Sequence, residues 1–383
     1  MKNLIILLIL ITSCLCLQQW TKMETKTNGQ ECTPRYKHAI VEVSDNTHYL
    51  FGGRCQGWLC FLNDTYKLEF HDDVAEFTEI TVNGQTPSSR FGSCDQFYDD
   101  KMYVIGGASY QDDDTLILFD DVWELDISTH TWTQIETTGD APTARYGHSC
   151  VVEDDSIYFF GGATGKKAFS NETWRISLSD HTWEKLSPEI APPPRYGHSS
   201  HVFNKEYTDD QNKLNVWGGR IKANGDAVYL NDMWEYCFQT NTWEQIIPTD
   251  YNNIPTGRFE FAYNGGEGGK ILNIMGGMHF TVAEKEAYND FWSFDRETLN
   301  WEELDQGDNP PSTMYGHSGH SNFHIFGGKN GHYEDEEEIY NDIWVYNYLQ
   351  NENENVISSG AFTQISNMLA IGTLLLIFIF FFH

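Results

Sequence analysis

Two acidic runs carry the densest oxygen chemistry in the chain: Asp112-Asp113-Asp114 and Glu334-Asp335-Glu336-Glu337-Glu338. Clustered carboxylates suit hard cations such as calcium. Neither run has the spacing of a calcium loop. Both therefore read as solvated loop, with a partner-facing acidic patch as the functional alternative, and no cofactor is expected. Histidines recur at His148, His198 and His317, each inside Tyr-Gly-His-Ser. One imidazole per repeat at one position faces its own surroundings, so structural hydrogen bonding is expected, not a shared metal. An arginine series, Arg35, Arg90, Arg145, Arg195 and Arg258, precedes the same motif. Gathered near an axis, five guanidinium groups could bind an anion. Pairing with a recurring downstream Asp or Glu is the preferred reading.

The cysteines are eight, of which Cys14 and Cys16 fall in an N-terminal leader. Cys32, Cys55 and Cys60 are expected near one another on one face, with a disulfide among them. Cys94, Cys150 and Cys237 fall within strands and read as buried free thiols. No zinc spacing is present. Sequons for glycosylation start at Asn63 and Asn171. No nucleophile elbow, phosphate loop, zincin motif or dinucleotide fingerprint occurs.

These residues must be positioned by something, and composition says what kind of element. The 383 residues contain 15% aromatics and 32 glycines. That mixture favours short strands and tight turns. The formal net charge is −32. Phosphate-rich partners such as nucleic acids and anionic lipid surfaces are repelled by such a balance.

A repeat organises the whole chain. Diglycines stand at Gly52-Gly53, Gly106-Gly107, Gly161-Gly162, Gly218-Gly219, Gly276-Gly277 and Gly327-Gly328, each after an apolar run. The Arg-Tyr-Gly motif precedes them, with Met314 replacing Arg in the sixth copy. An acidic-aromatic motif follows, as in Asn231-Asp232-Met233-Trp234. A second aromatic comes next: Trp132, Trp183, Trp243 and Trp301 in four copies. These residues are the kelch signature, and residues 18–348 resemble the kelch family. The resemblance implies an all-β, six-bladed β-propeller with four-stranded blades. The sixth repeat lacks its last aromatic strand, and Trp20-Thr21-Lys22-Met23-Glu24-Thr25 copies Trp132-Thr133-Gln134-Ile135-Glu136-Thr137. An N-terminal strand is thus expected to complete the last blade, which removes the open sheet edges.

The chain reads in four parts. Residues 1–17 are a signal peptide, with an apolar run over 4–11 and small residues after it. Residues 18–348 are the propeller, and 349–361 a linker. Residues 362–383 are a short spacer and an apolar tail. Ser358, Ser359 and Gly360 precede that tail as candidate GPI-attachment residues. A retained transmembrane tail is the other reading. Function is expected in the loops that follow the diglycines, among them 54–62, 108–119, 220–230, 278–288 and 329–340. Trp58, Asp112, Asp113, Asp114, Arg220, His279, Glu334, Asp335 and Glu336 are the candidate binding residues there. The expectation is a monomeric cell-surface scaffold that binds a protein or glycan. A carbohydrate-active kelch enzyme and a surface-coat protein are the alternatives.

Overall fold

The computed structural model describes residues 19–347, apart from 58, 210, 224, 267–268, 281–284, 321–322 and 331–337. The leader, the tail with Ser358, Ser359 and Gly360, and the candidates Trp58, Glu334, Asp335 and Glu336 lie outside the described residues. Among the described residues no helix is long and apolar enough to cross a membrane.

Each repeat folds as an antiparallel sheet whose strands run outward from a common axis. In blade 2 the order from the axis is Cys94–Tyr98, Lys101–Ile105, Val122–Asp126 and Thr131–Ile135. Blade 4 repeats it with Ser199–Phe203, Lys213–Trp217, Met233–Cys237 and Thr242–Ile246. The six-bladed, all-β architecture expected from the repeats is present. Blades 1, 2 and 3 carry one more strand than expected. Glu24–Asn28, Asn83–Gly84 and Thr138–Gly139 each add a parallel strand outside the fourth. The chain leaving one blade lies along the outer edge of the next and covers it before turning inward.

The diglycines allow blades to approach closely. Gly161 and Gly162 have φ of +74° and +91°. A Cβ on Gly162 would lie 2.8 Å from His148 Cβ, and one on Gly161 would lie 2.8 Å from the Arg195 carbonyl of the next blade. Only glycine meets both demands. The motif histidines pack against these glycines: a Cβ at Gly276 would meet His317 Cε1 at 2.8 Å. These rings thus pack closely between blades. Burial holds His148 and His317 at a pKa of about 3, so both rings are neutral.

Aromatic and aliphatic side chains fill the wedge between each pair of neighbouring blades. Between blades 1 and 2, Phe51 meets Trp132 with ring centroids 5.0 Å apart. Between blades 3 and 4, Phe160 meets Trp243 at 5.0 Å. The ring closes as expected. Gln19–Lys22 pairs antiparallel with Ile343–Asn347, placing Trp20 opposite Tyr346. Trp20 is 3% exposed and packs on Phe291, Phe323 and Tyr346.

Candidate functional site

The arginine series is structural. Arg195 is fully buried and donates to both Asp232 carboxylate oxygens, at 2.7 and 2.8 Å. It also donates to the Gly218 carbonyl at 2.9 Å, and Trp234 Nε1 donates to the same carboxylate at 2.8 Å. Arg35 with Asp64, Arg90 with Asp121 and Arg258 with Asp290 repeat the arrangement, and Arg145 does so with Glu172. Burial alone would raise the Glu172 pKa, but hydrogen bonds from Arg145, Lys185 and Trp174 outweigh it and hold the pKa at about 2. In blade 6, where Met314 replaces the arginine, Lys22 of the closing strand pairs with Asp342 at 2.7 Å. None of these guanidinium groups is left for an anion.

A different set of cations marks one face of the ring. The residue after each motif arginine (Met in blade 6) is aromatic: Tyr36, Phe91, Tyr146, Tyr196, Phe259 and Tyr315. Each bridges to the residue that follows the diglycine of its own blade: Arg54, Ala108, Ala163, Arg220, Met278 and Lys329. The six aromatics surround the axis, with Tyr146–Tyr196 and Tyr196–Phe259 centroids 5.8 and 5.7 Å apart. The Arg54 guanidinium stands among Tyr36, Phe61, Phe91 and Tyr110, with ring centroids 5.2 to 6.0 Å away. Arg220 stands among Tyr196, Tyr229 and Phe259, and donates to the Tyr196 hydroxyl at 3.1 Å. Lys329 lies over Tyr36 at 5.5 Å. Each cation over a ring face gains on the order of 0.5–2 kcal/mol, so these groups are held in fixed poses. The hairpins around them expose Leu59 (39%) and Val228 (38%).

The axis is closed at this face. Gly92, Gly147, Gly197 and Gly316 occupy the next motif position, with Lys37 and Glu260 in the other two blades. All six have left-handed backbone, φ +54° to +66°. Each amide donates to the carbonyl of the preceding blade, from Gly92 on Lys37 around to Lys37 on Gly316, at 2.6 to 3.0 Å. The two residues that are not glycine carry opposite charges and pair across the axis, Lys37 Nζ to Glu260 Oε1, at 2.6 Å. The aliphatic part of Lys37 lies over Gly316, where a Cβ would be 3.1 Å from Lys37 Cγ.

Of the expected binding residues, the structure places Arg220 and His279 in this mouth. His279 Nδ1 bonds the Gly257 carbonyl at 2.8 Å, and its ring stacks near Tyr229 at 4.6 Å. Asp112, Asp113 and Asp114 form the exposed tip of the hairpin whose Tyr110 ring helps to enclose Arg54. Asp113 accepts from the Thr115 amide, and Asp114 pairs with Lys166 of the neighbouring hairpin at 3.1 Å. Asn63 and Asn171 are exposed, but their sequon threonines are buried and accept from Trp132 and Trp243 Nε1.

The cysteine reading is confirmed in one part and corrected in another. Cys55–Cys60 is a disulfide that closes the blade 1 hairpin, and Cys32 stays outside it as a buried thiol with a pKa pushed up to about 11 by burial. Cys94 and Cys150, read as free thiols, form a second disulfide joining the innermost strands of blades 2 and 3. Cys237 is a buried thiol, as expected. Arg54, Lys329 and the Lys37–Glu260 pair were missed as site residues. Their signal was present in the sequence as departures from the repeat consensus at fixed positions.

Three comparisons bear on these features. A family model described as the KLHDC2/KLHL20/DRC7 Kelch-repeats domain matches residues 10–208 and 191–365. Kelch domain-containing protein 3 of Bos taurus is 26% identical over 296 residues, covering 71% of this chain and 70% of that protein. The Leucine-zipper-like transcriptional regulator 1 homolog of Drosophila melanogaster is 27% identical over 256 residues, 62% of this chain and 24% of the relative. Among solved structures, that of YjhT superposes with a TM-score of 0.58 at 17% identity, covering 82% of this chain and 95% of the other.

Proposed function

The chain belongs to the kelch-repeat family, and from that premise we propose that it is a protein-binding scaffold whose partner presents an acidic segment to the aromatic mouth. Kelch-repeat propellers typically bind proteins. The observation that carries the reading is the caging of Arg54 and Arg220 among seven aromatic rings on one face of a chain with net charge −32. Arginine and large aromatics are the side chains that most often dominate binding energy at interfaces. Their fixed poses lower the ordering cost of binding. In a chain of net charge −32, fixed guanidinium groups give an anionic segment a complementary landing point. An array of short acidic and basic peptides, with glycans alongside, tests the reading. Acidic peptides are expected to bind, and Arg54→Gln or Arg220→Gln to weaken them roughly tenfold at unchanged fold. Binding confined to glycans or basic peptides, or indifferent to both substitutions, overturns it.

We further propose that the scaffold acts at the cell surface, with residues 1–17 as its export signal and the 362–383 segment as a signal for GPI attachment at Ser358, Ser359 or Gly360. The Cys55–Cys60 and Cys94–Cys150 disulfides support this, because such bonds persist in oxidising compartments. Treating intact cells with phosphatidylinositol-specific phospholipase C is expected to release the protein. Retention in the membrane points to a spanning tail, and recovery from the cytosol with all thiols reduced overturns surface placement.

A further inference from the structure

Behind the closed mouth the axis widens into a cavity of about 430 Å³. Its chemistry is the reverse of the mouth's. Four positions after each motif aromatic the blades present Ile40, Asp95, Cys150, Ser200, Tyr263 and Gly319, so Asp95 is the single carboxylate of this tier. One of its oxygens accepts from the Ile40 amide at 3.0 Å. The neighbouring polar groups are committed elsewhere. Ser200 Oγ and Gln96 Nε2 both donate to the Cys150 carbonyl, at 3.0 and 2.9 Å. Tyr263 is hydrogen-bonded to Ser200, and its partly buried ring lines the cavity together with Phe97 and Phe261.

No lysine or arginine is among the described lining residues; the charged ones are Asp95 and Glu42. The lining histidines His38, His148 and His317 are kept neutral by burial. The nearest lysine in the mouth, Lys37, is bound to Glu260. Burial without a cationic neighbour pushes the Asp95 pKa up to about 7. At the end opposite the mouth, the turns joining the first and second strands of blades 1 to 3 expose Asp45, Asp99, Asp100, Asp154 and Asp155. A cleft lined by one sign of charge concentrates ions of the other.

We propose that this cavity is a binding site for a small organic cation, a primary or quaternary amine, which enters from the acidic end and takes Asp95 as its counter-ion and Tyr263 as a π wall. A bare hard metal ion is a poor fit, since it needs about six to eight oxygen ligands. The volume instead suits a small molecule, with apolar walls and a few fixed polar groups. A cation desolvated against an aromatic face gains most where water is excluded.

Ligand-dependent melting of the purified full chain in physiological salt tests this, with tetramethylammonium and butylammonium against neutral neopentanol and anionic butyrate. Both cations are expected to raise the melting temperature saturably, and the other two to leave it unchanged. Asp95→Asn keeps an acceptor for the Ile40 amide and removes one charge from a total of −32. It is expected to weaken cation binding at least about tenfold, whereas Asp140→Asn, exposed beyond the outermost strand of blade 3, leaves it intact. Tyr263→Leu, which keeps the carboxylate, is expected to weaken tetramethylammonium severalfold and serves as the second variant. An equal response to the neutral isostere overturns the proposal. So do equal cation binding by Asp95→Asn and the absence of a saturable effect up to about 10 mM.

Discussion

A chain lacking residues 19–28 is expected to lose its cooperative thermal transition, not merely to fray at one end. The segment reaches three blades. Trp20 is buried in the core between blades 5 and 6, and Met23 in the core between blades 6 and 1. Gln19–Lys22 then forms the outermost strand of blade 6, and Glu24–Asn28 the outermost strand of blade 1. Without it, blade 6 keeps three strands and exposes the edge of Ile343–Asn347. Trp20→Ala alone should cost about 3–5 kcal/mol and Met23→Ala about 2–5 kcal/mol. Whole domains are stable by only about 5–15 kcal/mol. Opening the ring removes both contributions and the strand pairing together. Circular dichroism melting of the deletion, beside the two point variants, is the measurement. A sharp transition within a few degrees of the intact chain would show that closure contributes little.

That closure was legible in the sequence because Trp20-Thr21 copies Trp132-Thr133, and a repeat with a missing strand must find it elsewhere. The blades were legible for the same reason: an aromatic or a diglycine at a fixed repeat position has one mechanical use. What stayed hidden were relations across the axis, where neighbours are one repeat apart in sequence. Cys94 and Cys150 are separated by 56 residues, close to the diglycine spacing, yet they bond directly. Reading each as a lone strand thiol ignored that radial neighbours share a register. Lys37 and Glu260 were visible as the two breaks in a glycine position. That they meet follows only once Gly316, which lies between them around the ring, offers no side chain to keep them apart. Asp95 had no signal at all, because its position holds a different residue in each blade. The parallel edge strands of blades 1 to 3 use polar residues such as Asn83-Gly84, which carry no hydrophobic period.

Asp232→Ala is the substitution expected to do most damage without removing apolar surface. It strands the Arg195 guanidinium, fully buried, with only the Gly218 and Pro193 carbonyls as partners. Leaving a buried charge uncompensated costs about 3–5 kcal/mol. It also takes the acceptor from Trp234 Nε1. Arg195→Met removes the stranded charge, so adding it to Asp232→Ala should cost little more, or recover part of the loss. A control sits one blade away: Arg175 and Glu184 pair at 2.5 Å but are 40% and 51% exposed, and Glu184→Ala should cost less than about 1 kcal/mol. Blade 6 gives the reason to expect recovery in the double variant. Met314 already stands where the other blades have arginine, 3% exposed, and Asp342 there is served by the half-exposed Lys22. The ring therefore tolerates an apolar side chain at this position, and what it should not tolerate is the arginine without its carboxylate. Denaturant unfolding of the two single variants and the double variant measures the coupling directly. Equal losses for Asp232→Ala and Glu184→Ala would mean that water reaches Arg195 and that the buried pair is not what locks strand to strand within each blade.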